Sequence, residues 1–158
     1  MTKMPKDMID VLIVGAGFAG LRALYTLRKE GLNCRVIEAS DEVGGVWNYN
    51  RYPGARCDVE SYDYSYGFSK ELEQEWRWTE RYAQQSEILD YIRHVADKFE
   101  LRKDIEFSTR LESATYNEAA ANWTVTTSRG GPITARFVVM AVGQLSKPKK
   151  PDFPGEAH

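Results

Sequence analysis

Cysteine, histidine and long apolar runs are all scarce in this 158-residue chain. The two cysteines, Cys34 and Cys57, lie far apart and match no metal-ligand spacing. A disulfide framework and a zinc site are therefore disfavoured, no metal is expected, and both cysteines read as reduced thiols. One of the two histidines, His94, falls off the apolar stripe of its segment and reads as a solvated side chain. No stretch approaches the roughly 20 apolar residues of a membrane span. The start, MTKMPKDMIDVLIVG, lacks the apolar h-region and cleavage site of a signal peptide. A cytoplasmic location with no membrane partner is the expectation. An excess of basic charge is also missing, since the formal net charge is −2, which argues against a nucleic-acid partner. Proline is sparse until the tail, where Pro148, Pro151 and Pro154 account for three of the six.

What is present is enough for one domain with a core: 42% of the residues are apolar. Aromatic residues cluster, with ten of the nineteen between Trp47 and Tyr82. That density suggests a flat apolar surface, either core or a ring-binding wall. The run IDVLIV at 9–14 reads as a buried parallel strand, 18–29 as a helix ending before Gly31, and 33–39 as a second strand. Together they predict a right-handed βαβ unit. Residues 43–82 show no clean period and read as functional loop with short helices. Within them Tyr62, Tyr66 and Phe68 alternate as in a half-buried strand edge, and Trp76 and Trp78 read as packing. A helix is expected from a cap at Ser86 to near Leu101. Strands follow at 105–107, 111–116, 123–127 and 133–140, with turns at 117–122 and 129–132. The last strand is nearly all apolar toward its end and should return to the centre of the sheet.

The chemistry begins with VLIVGAGFAGLRALYTL, where Gly15, Gly17 and Gly20 form G-x-G-x-x-G between strand and helix. This is the dinucleotide fingerprint in its required context. Gly15 allows the tight turn, Gly17 lets a pyrophosphate approach the backbone, and Gly20 lets helix and strand pack closely. Phe18 and Ala19 lie inside the same turn. Glu38 ends the second strand at about the ~20-residue offset at which a carboxylate accepts ribose hydroxyls. It would repel a 2′-phosphate, so the site favours FAD or NAD over NADP.

Gly44 and Gly45 follow Glu38 and Ala39 closely, and Ala141-Val142-Gly143 stands near the end of the domain. Both features resemble the flavoproteins with two dinucleotide-binding domains, with Val142 where Thr is usual. The stretch GGVWNYNRYPGARCDVESYDYSY then closely resembles the corresponding loop of Baeyer–Villiger monooxygenases, the class B flavoprotein monooxygenases of phenylacetone and steroid type. The resemblance continues through EWRWTERYAQQSEILDYIRHVADKF and ARFVVMAVGQLSKP, departing at Asn48 and Tyr49.

The resemblance implies an α/β, Rossmann-like FAD-binding domain over 1–146. It would hold a parallel sheet with the βαβ unit and a small antiparallel β-meander, incomplete relative to the family's full domain. Residues 147–158 would be a linker toward an absent NADP-binding domain. It implies that Gly45, Val46, Trp47, Asn48 and Tyr49 line FAD, that Tyr64 helps to bind it, and that the Leu111 backbone pairs with adenine. Arg56, Cys57 and Asp58 would stand where the nicotinamide of NADPH meets the flavin, with Arg56 and Asp58 catalytic. Ala141 and Gly143 would re-enter beside the cofactor. The whole enzyme would use NADPH and O2 to convert a ketone to an ester or lactone. With one glycine fingerprint and no F-x-G-x-x-x-H-x-x-x-W element, which His158 does not supply, the chain reads as an N-terminal fragment or a minimised domain. On its own it is expected to bind FAD at most. An N-hydroxylating or flavin-containing monooxygenase, and a non-catalytic dinucleotide-binding domain, are the alternatives.

Overall fold

The computed structural model describes residues 8–145, 149–150 and 152–155. Half of the linker expected over 147–158 lies outside them, as does His158. The apolar run at the start forms β1 (Ile9–Val14), followed by α1 (Phe18–Lys29) and β2 (Cys34–Ile37). The β2 ladder pairs parallel to β1, completing the βαβ unit. The helix stops where Gly31 takes a φ of +79°, a conformation that suits glycine. The long loop carries two short helices, α2 (Val46–Tyr49) and α3 (Lys70–Glu75). Then come α4 (Gln85–Lys98) and the strands β3 (Ile105–Glu106), β4 (Leu111–Asn117), β5 (Asn122–Thr127) and β6 (Ile133–Met140).

All six strands belong to one sheet in the order β3-β2-β1-β6-β5-β4. The parallel half and the antiparallel meander are joined by β6, which returns to the centre of the sheet as its apolar end predicts. It runs parallel to β1 and antiparallel to β5. The alternation of β1 explains the layering. Val11 and Ile13 point to a core with Leu21 and Leu24 of α1 and Tyr91, Ile92 and Val95 of α4. Leu12 and Val14 point the other way, toward Val125, Ile133 and Ala135. Beyond Ala135 no strand among the described residues is registered against the outer side of β6. There Phe137 and Met140 are more than half exposed, at 55% and 54%. No helix among the described residues is long and apolar enough to cross a membrane.

The aromatic loop departs from expectation. Residues 61–65 form a turn and none of 62–68 lies in a strand. Tyr62 is exposed, while Tyr66 is buried and donates its hydroxyl to the Phe18 carbonyl at 2.6 Å. Phe68 stacks on Tyr25 with ring centroids 4.1 Å apart. These rings are packing groups, as are Trp76 and Trp78, which both contact Tyr91. Burial pushes the Tyr91 hydroxyl up to about 12, so it stays protonated. Its oxygen accepts the Tyr66 N–H at 2.8 Å. The α4 cap also differs: the helix starts at Gln85, and Ser86 lies inside its first turn. His94 is not simply solvated, because its ring meets Glu75 at 2.6 Å and lies against Trp76. Arg28 ties the end of α4 to α1 by donating to the Phe99 and Glu100 carbonyls and to Asp104.

Candidate functional site

Where β1 ends, the chain must reverse into α1 within three residues. Gly15 does this with a φ of +104°, closed by its own N–H on the Ile37 carbonyl at 2.8 Å. Gly20 faces the turn so tightly that a Cβ there would lie 1.8 Å from the Gly15 oxygen. Gly17 precedes the helix and supplies no side-chain cap, so the first N–H groups of α1 remain open to an anion. A second glycine pair closes over this turn. Gly44 donates to the Ala16 carbonyl at 3.0 Å, and a Cβ on Gly45 would lie 3.1 Å from Gly17 Cα. Both have positive φ, +125° and +55°, which explains the Gly-Gly pair.

Glu38 is buried at the end of β2. Its Oε2 accepts the Ala16 N–H at 2.6 Å and its Oε1 the Ser40 N–H at 2.8 Å. A carboxylate offers about four acceptor positions, so about two remain for a ligand's hydroxyls. Glu38 therefore also holds the glycine turn in place, a role the sequence did not suggest.

The turn, Glu38 and the aromatic loop enclose a cavity of about 980 Å³. Of the predicted site residues, Gly15, Gly17, Phe18, Ala19, Glu38, Ala39, Gly45, Val46, Trp47, Tyr49, Tyr64, Leu111, Ala141 and Gly143 line it. The Trp47 indole is buried and donates to the Tyr64 hydroxyl at 3.1 Å, and the two rings meet edge to face. Burial raises the Tyr64 pKa, opposed by the indole N–H and reinforced by the neighbouring Cys57 and Asp58.

Five predicted residues stand off the wall. Gly20 faces the turn from behind. Asn48 is buried, and its side chain accepts from Arg51 at 2.7 Å. Arg56 is drawn outward, donating to Glu80 at 3.0 Å and to the Tyr82 carbonyl at 3.2 Å. Cys57 is buried, with its N–H on the Ala83 carbonyl at 3.1 Å. Asp58 is exposed. Both cysteines are free, and burial, with Asp10 and Asp104 nearby, raises the Cys34 pKa.

The cavity also takes residues that sequence reasoning passed over, among them Asp63, Ser65, Thr109, Arg110, Gln144 and Leu145. A strand would have sent Asp63 and Ser65 to the face opposite Tyr64. The turn actually formed there brings all three to one wall. Thr109 and Arg110 are placed by the Thr109 N–H on the Glu38 carbonyl at 2.8 Å, a contact between distant segments with no local signal.

Glu42 anchors the Gly44–Gly45 loop. One carboxylate oxygen accepts from Arg102 at 2.7 Å and from the Val43 N–H, and the other accepts from Arg93 at 3.1 Å. Burial would raise its pKa, but these bonds and the two guanidinium charges outweigh burial and hold it below the usual carboxylate range. A depressed folded-state pKa gives stability that is present above the unfolded value and lost as pH falls through the folded one. Acidification through that range should therefore loosen the loop and raise the Kd of a dinucleotide. Titrations at descending pH should show this dependence in the parent and lose most of it in Glu42→Gln.

A family model described as pyridine nucleotide-disulphide oxidoreductase matches residues 12–158. The chain is 46% identical over 151 residues to a phenazine N-monooxygenase of Lysobacter antibioticus, covering 95% of this chain and 28% of that protein. It is equally 46% identical over 155 residues to a Baeyer–Villiger monooxygenase of Pseudooceanicola batsensis, covering 98% of this chain and 28% of that one. Among solved structures, an oxidized steroid monooxygenase bound to NADP superposes with a TM-score of 0.88 at 57% identity, covering 95% of this chain and 29% of that one. OTEMO in complex with FAD and NADP does so with a TM-score of 0.88 at 39% identity, covering 98% and 29%. The chain thus spans less than a third of the length of these relatives.

Proposed function

From a chain that belongs to the pyridine nucleotide-disulphide oxidoreductase family and is similar to flavin monooxygenases over nearly its whole length, we infer the FAD-binding portion of an NADPH- and O2-dependent Baeyer–Villiger monooxygenase. The observation that carries this reading is one cavity in which an open helix N-terminus, a buried carboxylate with spare acceptor capacity and an indole–phenol wall converge. These fit a dinucleotide with a flat ring at one end. The N–H groups of the glycine turn hold the pyrophosphate, with the partial positive charge of α1 behind them. Glu38 takes the ribose hydroxyls. Trp47 and Tyr64 cover the ring system and keep water from it.

FAD, when bound, supplies the electron transfer and oxygen chemistry that no side chain here can perform. The residues of this chain bind and orient it. Asp58 is exposed and its charge acts on Tyr64, which supports a role beside the flavin once further parts of a longer protein are present. Arg56 is engaged by Glu80 at 3.0 Å, so a role at the flavin would require that pair to part. NADPH, ketone and oxygen belong to the whole enzyme, with esters or lactones as its products. A cytoplasmic setting accords with this chemistry.

Purified protein should carry bound flavin, seen as absorbance in the visible blue, whereas bound NAD would add none. The longer protein containing this chain should convert a cyclic ketone to a lactone. The relative at 46% identity that is a phenazine N-monooxygenase supports a second reading, oxygen transfer to nitrogen. A longer protein that oxidises heteroaromatic nitrogen and leaves ketones untouched would establish that reading instead.

A further inference from the structure

The cavity wall carries two acidic side chains, Glu38 and Asp63, but a single cationic one among the described residues, Arg110. The Arg110 backbone is fixed on both sides. Its N–H donates to Ser128 Oγ at 2.9 Å, and its carbonyl accepts the Ser128 N–H at 2.9 Å. Its neighbour Thr109 is bonded to the Glu38 carbonyl at 2.8 Å. The guanidinium, in contrast, has no ion pair or hydrogen bond among the described residues. Arg28, Arg56, Arg81, Arg93, Arg102 and Arg136 all have carboxylate partners. Being free is ordinary for a surface arginine. Being free on the wall of a ligand cavity, on a backbone held in place, is more specific.

We propose that Arg110 selects the adenine end of the ligand by laying its guanidinium plane on the purine face. The inference rests on the dinucleotide reading of the same cavity. Its geometry follows from the order of groups along such a ligand. The pyrophosphate belongs at the α1 N-terminus, and Glu38 holds the ribose. The base on the far side of that ribose must lie beyond Glu38, where Thr109, Arg110 and Leu111 form the wall. A phosphate contact is disfavoured because the phosphates sit at the other end of the ribose. A guanidinium is planar and weakly hydrated, and it stacks on aromatic faces. An ammonium at the same place is a compact, strongly hydrated point charge. Arg110 is in this sense a specificity residue for adenine nucleotides.

The test is a titration of the purified chain with FAD and with ADP, comparing the parent with Arg110→Ala, Arg110→Lys and Arg110→Tyr. The Ala variant should weaken both ligands by the same factor, about two- to thirtyfold, the range a cation over a ring supplies. Tyr keeps a flat face without charge and should restore most of the affinity. Lys keeps the charge without the plane and should restore little. Circular dichroism and the urea midpoint should match the parent in all variants, because the Ser128 bonds are to the main chain. Recovery by Lys but not Tyr would make Arg110 a phosphate ligand and overturn the stacking assignment. An Ala variant that binds both ligands like the parent would make it a bystander. A parent that binds neither FAD nor ADP would sink the cofactor reading itself, and this inference with it.

Discussion

Replacing Gly20 with alanine is expected to break the packing of α1 on β1, not merely to weaken a ligand. The added methyl carbon would lie 1.8 Å from the Gly15 oxygen and 2.9 Å from the Gly15 carbonyl carbon. Both are backbone atoms of a turn already committed to φ +104° and to the Ile37 carbonyl. No side chain can swing aside, so the helix must withdraw. Leu21 and Leu24, both fully buried, would withdraw with it. Overpacking a core usually costs about 1–3 kcal/mol and occasionally more. A backbone clash of this depth belongs at the upper end, about 3 kcal/mol, a large share of a domain's ~5–15 kcal/mol stability. Urea unfolding followed by circular dichroism should show the loss. The informative contrast is Gly17→Ala. Its methyl would meet only Gly45, with Cα at 3.4 Å and N at 3.7 Å, and φ is in the ordinary range, so the protein accommodates it. That variant should keep the parent's urea midpoint and still bind FAD much more weakly, because the methyl occupies the approach of the pyrophosphate. If Gly20→Ala unfolds with the parent's midpoint, the description of the turn is wrong.

Glu38→Ala should damage both the fold and the site. The carboxylate is buried and engages two main-chain donors, the Ala16 N–H of the glycine turn and the nearby Ser40 N–H. Truncation strands both donors. A buried donor left without a partner costs about 1–3 kcal/mol, and this applies to the Ala16 amide before any ligand is considered, while the part-buried Ser40 amide can turn to water and adds less. FAD affinity should fall further through loss of the ribose acceptor. Glu38→Gln separates the two effects. Its carbonyl can keep one amide, while its NH2 is set against the other donor. It should lower the urea midpoint by less than Ala does and still weaken FAD strongly. A Gln variant with the parent's stability would mean that the two amide bonds contribute nothing to folding.

The parts of the fold legible in the sequence are those governed by local pattern. The apolar run at β1, the glycines that follow it and the stripe on α4 each state their structure within a few residues. Gly44 and Gly45 were legible as a motif, but their reason was not. They lie against Gly17 and Ala16, and that approach is a tertiary fact. The alternating tyrosines misled for the opposite reason. A period of two is a strand signal only where neighbouring backbone completes a ladder, and here the backbone turns while Tyr66 reaches Phe18 by its hydroxyl. Arg56 and Asp58 were singled out by resemblance, yet neither lines the cavity. Arg56 is paired with Glu80 and Asp58 is exposed. Arg110 carried no motif at all, because it is placed by the bonds of Thr109 to the end of β2 and of its own backbone to Ser128.

The unmatched side of β6 has a kinetic signature. The Ala141 N–H donates to the Val14 carbonyl, so this amide faces β1. Amides alternate along a strand, and those of Phe137 and Val139 therefore face β1 as well, while those of Val138 and Met140 face outward. In deuterated water the inward set should exchange only when the sheet opens, and the outward set should exchange at rates close to those of an unstructured peptide. The result is an alternation of slow and fast amides within four consecutive residues of one strand. In a longer protein, any backbone that comes to lie along this edge would slow Val138 and Met140 and erase the alternation. The protons of two residues would then report whether the sheet has acquired another strand.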